Sequence, residues 1–209
     1  INVFPTKEIY SKQFEILLDS IISGGAVVYN KLDSELNQMV LNCSNSIRKL
    51  EYSLPEFFIE NDISFLKTDE GNLPLKIFGN HNLSNLSGAK LICQLMGDQE
   101  EEFNNSIVSF AGADKRLESL LEMDDRAFFK DFAHSPSKVS ATTNALKNQF
   151  KNRKLIALLE LHTFSSLNED FIGEYRNSLK QADVRILFYD PKAVASKGLK
   201  NISVQKIKD

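Results

Sequence analysis

The chain is poor in the residues that build disulfide and metal sites. Its 209 residues include only two cysteines and three histidines. Cys43 and Cys93 have neither CxxC nor metal-type spacing, which excludes a disulfide framework and a cysteine-ligated zinc site. We expect both thiols to act as small buried hydrophobic side chains, which fits a reducing cytoplasm.

Charge excess and long apolar runs are also missing. The 25 basic and 28 acidic residues leave a net charge of −3, which offers no broad electrostatic footprint for nucleic acid or for an anionic membrane. The apolar stretches are far shorter than the roughly 20 residues that cross a bilayer, and no signal peptide opens the chain. We therefore expect a cytoplasmic protein with no nucleic-acid partner and no membrane span.

Several sequence motifs of known chemistry are absent. No GxGxxG follows a strand, no GxSxG elbow occurs, and HExxH is missing. These absences argue against a dinucleotide oxidoreductase, an α/β-hydrolase and a zinc protease. The GxxxxGK[ST] phosphate loop is missing as well.

The chain has the composition of a globular protein, with 42% hydrophobic and 25% charged residues. In its first half, apolar spacing predicts a helix over 6–23 that ends at Gly24 and Gly25, a buried strand at 26–29, a weaker helix at 31–41 and a strand in "SIRKLEYSL". The stretch "ISFLKTDEGNLPLKIFG" predicts a hairpin whose second strand lies at an edge because it contains Pro74.

Two helices complete the first half. The segment "GNHNLSNLSGAKLICQLMG" predicts a helix that ends at Gly97, with one apolar face formed by Leu86, Ala89, Ile92, Cys93 and Met96. Asp98, with Glu101 three residues later, predicts the start of the next helix.

Beyond "AGADK" the pattern changes to alternating strands and helices. We predict strands in "RLESLLEM", "AFFKDFA", "KLIALLEL" and "VRILFY", with helices over 136–150 and 168–181. Strand and helix alternation of this kind predicts a parallel, doubly wound α/β domain. The predicted domains are therefore residues 1–111 and residues 112–209.

The stretch "KDFAHSPSK" lies at a position where a ligand site is expected. If "AFFKDFA" is a parallel strand, Asp131 and His134 lie at its carboxyl end, where open α/β sheets bind ligands. Pro136 suits the first turn of the next helix, and the Ser135 hydroxyl is expected to cap it. The alternative is that Asp131 caps a turn and His134 bonds to a nearby backbone carbonyl.

Two further motifs place polar side chains after strands. In "GNHNLSN", Asn82 and Asn85 are three residues apart at a helix start, where both amides suit an adenine edge; the alternative is that they are caps and turn formers. In "LELHTFSS", His162 ends a buried strand and could line the same crevice as His134. Either histidine could equally have a structural role.

Taken in order, "GNHNLSNLSGA", "SFAGADKRLE", "KDFAHSPS" and "LELHTFSS" resemble the Mur ligase family, the ATP-dependent amide-bond ligases of peptidoglycan assembly. The opening "INVFPT" is similar to a stretch of their central domain. The resemblance implies the second half of a central ATPase domain followed by a Rossmann-like C-terminal α/β domain. A start without methionine and an end at "VQKIKD" lead us to expect a fragment.

The resemblance also implies roles for individual residues. Asn82 and Asn85 match positions on the adenine side of ATP, and Arg116 matches an arginine that reaches the nucleotide from the domain junction. Asp131 matches a carboxylate that contacts the nucleotide when the C-terminal domain closes, and His134 lies in the same loop. The loop that contains His162, Thr163 and Ser165 is expected to face the incoming amine. We therefore expect catalytic roles for Asp131, Arg116 and His134.

Substrates and cofactors are implied in the same way. "DFAHSPS" followed by "LELHTFSSL" is most similar to the members that join the tripeptide L-alanyl-γ-D-glutamyl-meso-diaminopimelate to UDP-N-acetylmuramate in peptidoglycan recycling. Members that add L-alanine share much of this pattern. These enzymes use ATP and Mg²⁺ and proceed through an acyl phosphate. Their phosphate loop and magnesium ligand match no residue here, so we predict no metal ligand in this chain and no activity of the chain alone.

The chain departs from the family at two positions. Relatives usually have His-His-Pro where this chain has His134, Ser135 and Pro136, and they tend to have an arginine at the position of Ser166. The rival hypothesis is a non-catalytic α/β binding module that uses the crevice for a partner. A GxxxxGK[ST] loop earlier in the intact gene would favour the ligase.

Overall fold

The structure is a computed structural model that describes residues 4–199 and residue 203. Residues 1–3 of "INVFPT" and all of "VQKIKD" lie outside the described residues, together with the predictions that rest on them. The described residues form two compact units. Unit 1 contains residues 4–57, Leu66–Leu73 and His81–Val108, and unit 2 contains Phe58–Phe65, Pro74–Asn80, residues 109–199 and residue 203.

Unit 1 begins with a helix, a strand, a helix and a strand, in the predicted order. Its elements are α1 (Lys7–Ser20), β1 (Ala26–Asn30), α2 (Ser34–Asn42) and β2 (Arg48–Tyr52), and the two strands are parallel. The side chains of Thr6 and Asp33 accept hydrogen bonds from backbone N–H groups at the starts of α1 and α2. Helix α1 ends at Ser20, earlier than the two glycines led us to expect. The core of this arrangement consists of Leu18, Tyr29 and Val40.

The next two helices are α3 (Asn80–Met96) and α4 (Glu100–Ser109). The apolar face predicted for α3 is right only at Leu86, which is buried; Ile92 and Met96 are 50% and 79% exposed. Instead, α3 buries a face that includes Gly88, where a Cβ atom would lie 3.0 Å from the Tyr52 ring, so the missing side chain permits close packing on β2. Helix α4 is capped by Glu102, which accepts from the Gln99 N–H at 2.9 Å, and not by the predicted Asp98 and Glu101 pair.

A three-stranded sheet follows β2 in the chain. It has the order β3 (Phe57–Glu60), β4 (Ile63–Thr68) and β5 (Gly71–Leu75). The predicted hairpin is confirmed, and Pro74 lies in the edge strand β5, as its missing N–H requires. Strand β3 was not predicted. It turns into β4 through Asn61 and Asp62, which have φ angles of 51° and 61°, as tight hairpin turns require.

In unit 2, β6 (Glu118–Glu122) and β7 (Ala127–Lys130) form an antiparallel hairpin. The prediction that "AFFKDFA" is a parallel strand is therefore wrong. The reason is the length of the connection, because residues 123–126 can reverse the chain but cannot make the crossover of a dozen or more residues that parallel strands need. Asp131 and His134 thus follow the second strand of a hairpin.

The rest of unit 2 is a small α/β layer. Helix α5 (Pro136–Gln149) precedes β8 (Ile156–Glu160), which pairs in parallel with β9 (Val184–Phe188), and α6 (Pro191–Ser196) follows. The buried side chains of this layer are Val139, Leu159, Leu161, Leu167, Ile172, Leu179 and Val194.

The helix predicted over 168–181 is wrong. A short 3₁₀ helix, Ile172–Tyr175, lies there between turns. Backbone bonds span three residues, for example from the Ser178 N–H to the Tyr175 carbonyl at 2.8 Å. Asn177 has a φ of 67°, which is incompatible with a continuing α-helix. The apolar residues at this spacing still reach the core because Ile172 and Leu179 are buried.

The described residues therefore have a mixed α/β fold. No sheet in this part of the chain combines strands from the two sides of residue 111. The domain limits 1–111 and 112–209 remain a prediction. Within residues 4–199, every helix is too short or too polar to cross a membrane.

Candidate functional site

The loop between β7 and α5, residues 131–135, is held firmly at its start; we call it the Asp131 loop. The Thr142 hydroxyl on α5 donates a hydrogen bond to the Asp131 carboxylate. The Phe132 N–H donates to the Lys115 carbonyl at 3.0 Å. Asp131 therefore does not cap a local turn, contrary to the alternative interpretation, whereas the other half of that alternative is confirmed, because His134 bonds to a nearby backbone carbonyl. The direction of the Asp131 carboxylate is fixed by Thr142, which lies on α5 and is eleven residues further along the chain.

Helix α5 begins at the predicted place, with Pro136 in its first turn. The prediction that the Ser135 hydroxyl caps it is wrong, because Ser135 occupies the N-cap position without a side-chain hydrogen bond to the helix. Proline needs no N–H partner and its fixed φ suits a helix start, so Pro136 sets this end of α5 without help from the hydroxyl.

His134 is fixed by two hydrogen bonds. Its Nδ1 lies 2.9 Å from the Phe132 carbonyl oxygen. Its own carbonyl accepts a hydrogen bond from the Tyr175 hydroxyl, and burial raises the pKa of Tyr175 above its ordinary value, so the phenol keeps its proton. A carbonyl oxygen can only accept, which means that Nδ1 carries the hydrogen and Nε2 holds a lone pair in the neutral ring.

Phe132 connects the two histidines of unit 2. Its ring centroid lies 5.0 Å from that of His134 and 6.1 Å from that of His162. The Phe132 side chain is 49% exposed, so one part of this group faces solvent. His162 Nδ1 lies 3.4 Å from the Glu160 carbonyl, a longer version of the contact that His134 makes. The structure thus places Asp131, His134 and His162 in one neighbourhood.

The loop after β8 is closed by a reciprocal pair of side chains. Thr163 N–H and its hydroxyl both donate to Ser166 Oγ, at 3.0 and 2.9 Å, and the Ser166 N–H donates back to Thr163 Oγ1 at 3.1 Å. Ser166 is buried. The predicted substrate-binding hydroxyl of Thr163 is therefore engaged inside the loop, and Ser166 closes a turn at the position where relatives tend to have an arginine. The neighbouring Ser165 is partly buried.

Arg116 lies between two residues with unusual backbone angles. Lys115 and Leu117 have φ values of 58° and 47°, a region that non-glycine residues occupy rarely and that recurs at functional sites. The Arg116 side chain is exposed. Because the carbonyl of Lys115 binds the Phe132 N–H, this turn is attached to the Asp131 loop.

Asn82 and Asn85 lie in the first turns of α3. Asn82 is partly buried and Asn85 is exposed. Both belong to unit 1, whereas the other predicted site residues belong to unit 2. Before them, Gly79 has a φ of 85°, and a Cβ atom there would lie 2.6 Å from the methyl carbon of Ala145. Glycine is thus required at the position that precedes α3.

Sequence reasoning missed the contacts of three residues of the site, which are Thr142, Tyr175 and Ser166, and it treated Ser166 only as a departure from the family. Thr142 and Tyr175 act on the Asp131 loop from 11 and 41 residues away, and no local spacing indicates either contact. For Ser166, the separation of three residues from Thr163 is a pattern typical of reciprocal side-chain capping and could have been recognised. Among the described residues, no group of three histidine, cysteine or acidic side chains could hold a metal ion.

No protein-family model matches the chain, but its sequence is similar to those of several known proteins. The chain is 33% identical over 125 residues to the bifunctional enzyme MurC/Ddl of Chlamydia caviae, covering 60% of this chain and 15% of that protein. It is 28% identical over 199 residues to the UDP-N-acetylmuramate–L-alanine ligase of Phocaeicola vulgatus, covering 90% of this chain and 42% of that ligase. The chain thus spans less than half the length of these relatives.

Solved structures show the same fold. The UDP-N-acetylmuramate–alanine ligase MurC of Thermotoga maritima matches 99% of this chain and 45% of its own, with a TM-score of 0.67 and 15% identity. The murein peptide ligase of Psychrobacter arcticus matches 85% of this chain and 40% of its own, with a TM-score of 0.54 and 18% identity. These matches show that the chain is similar in sequence to UDP-N-acetylmuramate–L-alanine ligases and that it has the fold of Mur ligase structures over about half of their length.

Proposed function

We propose that the whole protein is an ATP-dependent ligase that joins L-alanine to UDP-N-acetylmuramate in peptidoglycan biosynthesis. The observation that carries this proposal is the match to the Phocaeicola vulgatus ligase of that name, which extends over 90% of this chain. The motif resemblance predicted the tripeptide as the amine substrate. Murein peptide ligase enters the comparison as a structural neighbour, with a lower TM-score than the L-alanine ligase. L-alanine is therefore the better candidate.

In the proposed reaction, ATP phosphorylates the carboxylate of UDP-N-acetylmuramate. The amine then attacks the acyl carbon and phosphate leaves. Such a reaction depends on positioning and on neutralised charge more than on covalent chemistry by the protein. The Asp131 loop suits this requirement because hydrogen bonds from Thr142, Tyr175 and the backbone fix it before any substrate arrives.

In unit 2, we assign the nucleotide to Arg116 and Asp131, and the amine to the side of His134 and His162. In unit 1, the adenine-side role of Asn82 and Asn85 remains a prediction. Exposure of Arg116 and Asn85 leaves both side chains available to a ligand. A planar guanidinium suits phosphate oxygens, and amides suit the donor and acceptor edge of adenine. The described residues offer no cluster that fits Mg²⁺, so we derive no step through a metal.

The proposal is tested with the whole protein, UDP-N-acetylmuramate and Mg-ATP, with either L-alanine or the tripeptide as the amine. We expect phosphate release that depends on L-alanine and a product whose mass corresponds to the added alanine. A higher kcat/KM for the tripeptide would move the assignment to peptide recycling. Failure of both amines to stimulate phosphate release, with nucleotide still bound, would refute the ligase and favour a binding module.

A further inference from the structure

We propose that Tyr175 is a positioning residue that couples the two loops of the candidate site. One is the Asp131 loop; the other, residues 161–166, follows β8, and we call it the Thr163 loop. Residues 167–175 connect the Thr163 loop to Tyr175, and we call them the linking segment. The proposal rests on the proposed function only in its second experiment, which measures ligase activity.

The linking segment is tied to the Thr163 loop by backbone hydrogen bonds. The Leu167 N–H donates to the Thr163 carbonyl at 3.1 Å, and the Asn168 N–H donates to the Ser165 carbonyl at 3.1 Å. Further along, the Ile172 N–H donates to the Asn168 carbonyl at 3.0 Å. Because these bonded turns follow one another directly, a displacement of the Thr163 loop is passed along the segment.

Two side chains anchor the linking segment in the core of unit 2. Leu167 is 0% and Ile172 is 7% exposed, and both belong to the same buried cluster as Leu161 of the Thr163 loop. Tyr175 packs against this cluster, and its ring meets that of Phe171 edge to face, with 6.2 Å between centroids. Since protein interiors are close-packed, a segment anchored in this way transmits a displacement and does not absorb it.

The Tyr175 hydroxyl makes the contact with the other loop. It donates a hydrogen bond to the His134 carbonyl, 41 residues earlier in the chain. Burial raises the pKa of Tyr175 above its ordinary value, against an opposing hydrogen bond with Ser166, so the phenol keeps the proton that it donates. The ring therefore belongs to the core and the hydroxyl to the Asp131 loop, which makes Tyr175 the connection between them.

A second route between the two loops is less directional. The Phe132 ring lies 6.1 Å from the ring of His162, which is part of the Thr163 loop. Phe132 is 49% exposed, so its ring can move toward solvent without meeting other side chains there. A hydrogen bond depends steeply on distance and angle. The Tyr175 hydroxyl is therefore the contact that matches the positions of the two loops.

The Asp131 loop is thus held by two separate elements. Thr142 on α5 holds the Asp131 carboxylate, and Tyr175 holds the His134 carbonyl. Loss of the Tyr175 hydroxyl should leave the carboxylate in place and release the other end of the loop. In the proposed ligase, the nucleotide side and the amine side would then lose their fixed separation, on which such a reaction depends.

The first experiment measures the coupling without activity. Thr163→Val removes a hydroxyl that bonds to Ser166 and keeps the shape of the side chain. It is introduced into the 209-residue protein with and without Tyr175→Phe, and ¹H–¹⁵N spectra follow the backbone amides of residues 132–135. We expect Thr163→Val to shift these amides while Tyr175 has its hydroxyl and to leave them nearly unshifted in the Tyr175→Phe background.

Equal shifts in both backgrounds, or shifts in neither, would overturn the proposal. Ser166→Ala breaks the same reciprocal contact from its other side and serves as a second perturbation if Thr163→Val prevents folding. It should give the same result.

The second experiment applies the same variants to the whole protein. Tyr175→Phe should lower kcat/KM for L-alanine by roughly 2- to 12-fold, the effect of one hydrogen bond. Thr163→Val should add little to this loss, because the two changes act along one connection. Tyr10→Phe, which removes a hydroxyl from a 48% exposed tyrosine of unit 1, is the control and should leave kcat/KM unchanged.

The outcomes of this assay are distinct. An unchanged kcat/KM in Tyr175→Phe, or losses that add fully with those of Thr163→Val, would overturn the coupling while the proposed ligase would stand. A wild-type protein without ligase activity would refute the proposed function, and the spectra would still decide the coupling. Less than additive losses, together with shifts that need the Tyr175 hydroxyl, would support both.

Discussion

Gln149→Met should destabilise unit 2 by an amount that the structure allows us to work out. Ser64 Oγ donates to Gln149 Oε1 at 2.8 Å, and Gln149 Nε2 donates to the Asp62 carbonyl at 2.7 Å. Ser64 is 0% and Gln149 is 4% exposed, so water cannot replace either partner. Methionine keeps the volume but leaves the serine hydroxyl buried without a partner. That group costs about 1–3 kcal/mol and the lost bond to the carbonyl about 1 kcal/mol.

The expected total is roughly 2–4 kcal/mol, which corresponds to a fall in melting temperature of about 4–16 °C for a chain of this length. Hydrogen exchange of the α5 amides would localise the effect to unit 2. The matched control is Ser64→Ala combined with Gln149→Met. Because the double variant has no orphaned hydroxyl, it should be less destabilised than the sum of the single variants. A Gln149→Met variant within about 0.5 kcal/mol of wild type, or full additivity, would refute the reasoning.

Three other predictions concern the site and its support. Asp131→Asn and Thr142→Val should each lower the turnover of the proposed ligase in the whole protein. We expect a loss of roughly 10- to 100-fold for Thr142→Val, because this change removes a hydrogen bond to a charged group. A large fall in melting temperature with full activity would indicate a structural role instead. Gly79→Ala should destabilise the chain in urea unfolding, because the added carbon would lie 2.6 Å from a methyl carbon of α5 and φ is 85°; an unchanged urea midpoint would contradict this. The Lys147 ammonium lowers the pKa of Asp183 in the folded protein. The ionised carboxylate therefore stabilises the fold at pH values above its unfolded pKa, and this stabilisation is lost as the pH falls through its folded pKa. Urea melts of Asp183→Asn should show a weaker loss of stability on acidification than wild type does.

The first half of the chain was the more predictable because its elements are local. Helical spacing in α1, the buried run in β1 and the turn between β4 and β5 are each contained within fewer than about 20 residues, which is the range over which periodicity is informative. The face of α3 could not be predicted in this way. Its contact with Tyr52 depends on the absence of a side chain at Gly88, and hydrophobic spacing ignores glycine.

In the second half, sequence reasoning placed the strands correctly but paired one of them wrongly. The run "AFFKDFA" looks the same whether its partner is parallel or antiparallel, and the length of the turn at residues 123–126 was the evidence for a hairpin. The region 168–181 shows the opposite error. Its apolar spacing correctly indicates burial of Ile172 and Leu179, but the left-handed Asn177 prevents a continuous helix.

The Asp131 loop lies beside His162, which is one of the two possibilities that the sequence left open, although β7 is not the parallel strand that this possibility assumed. What brings them together is the direction of α5 relative to β8. At one end of α5, Phe132 contacts His162, which follows the carboxyl end of β8. At the other end, Lys147 binds Asp183, which accepts from the Leu155 N–H just before β8 begins. Helix and strand therefore run antiparallel, so whatever precedes α5 is placed at the carboxyl end of β8, whether or not β7 belongs to that sheet.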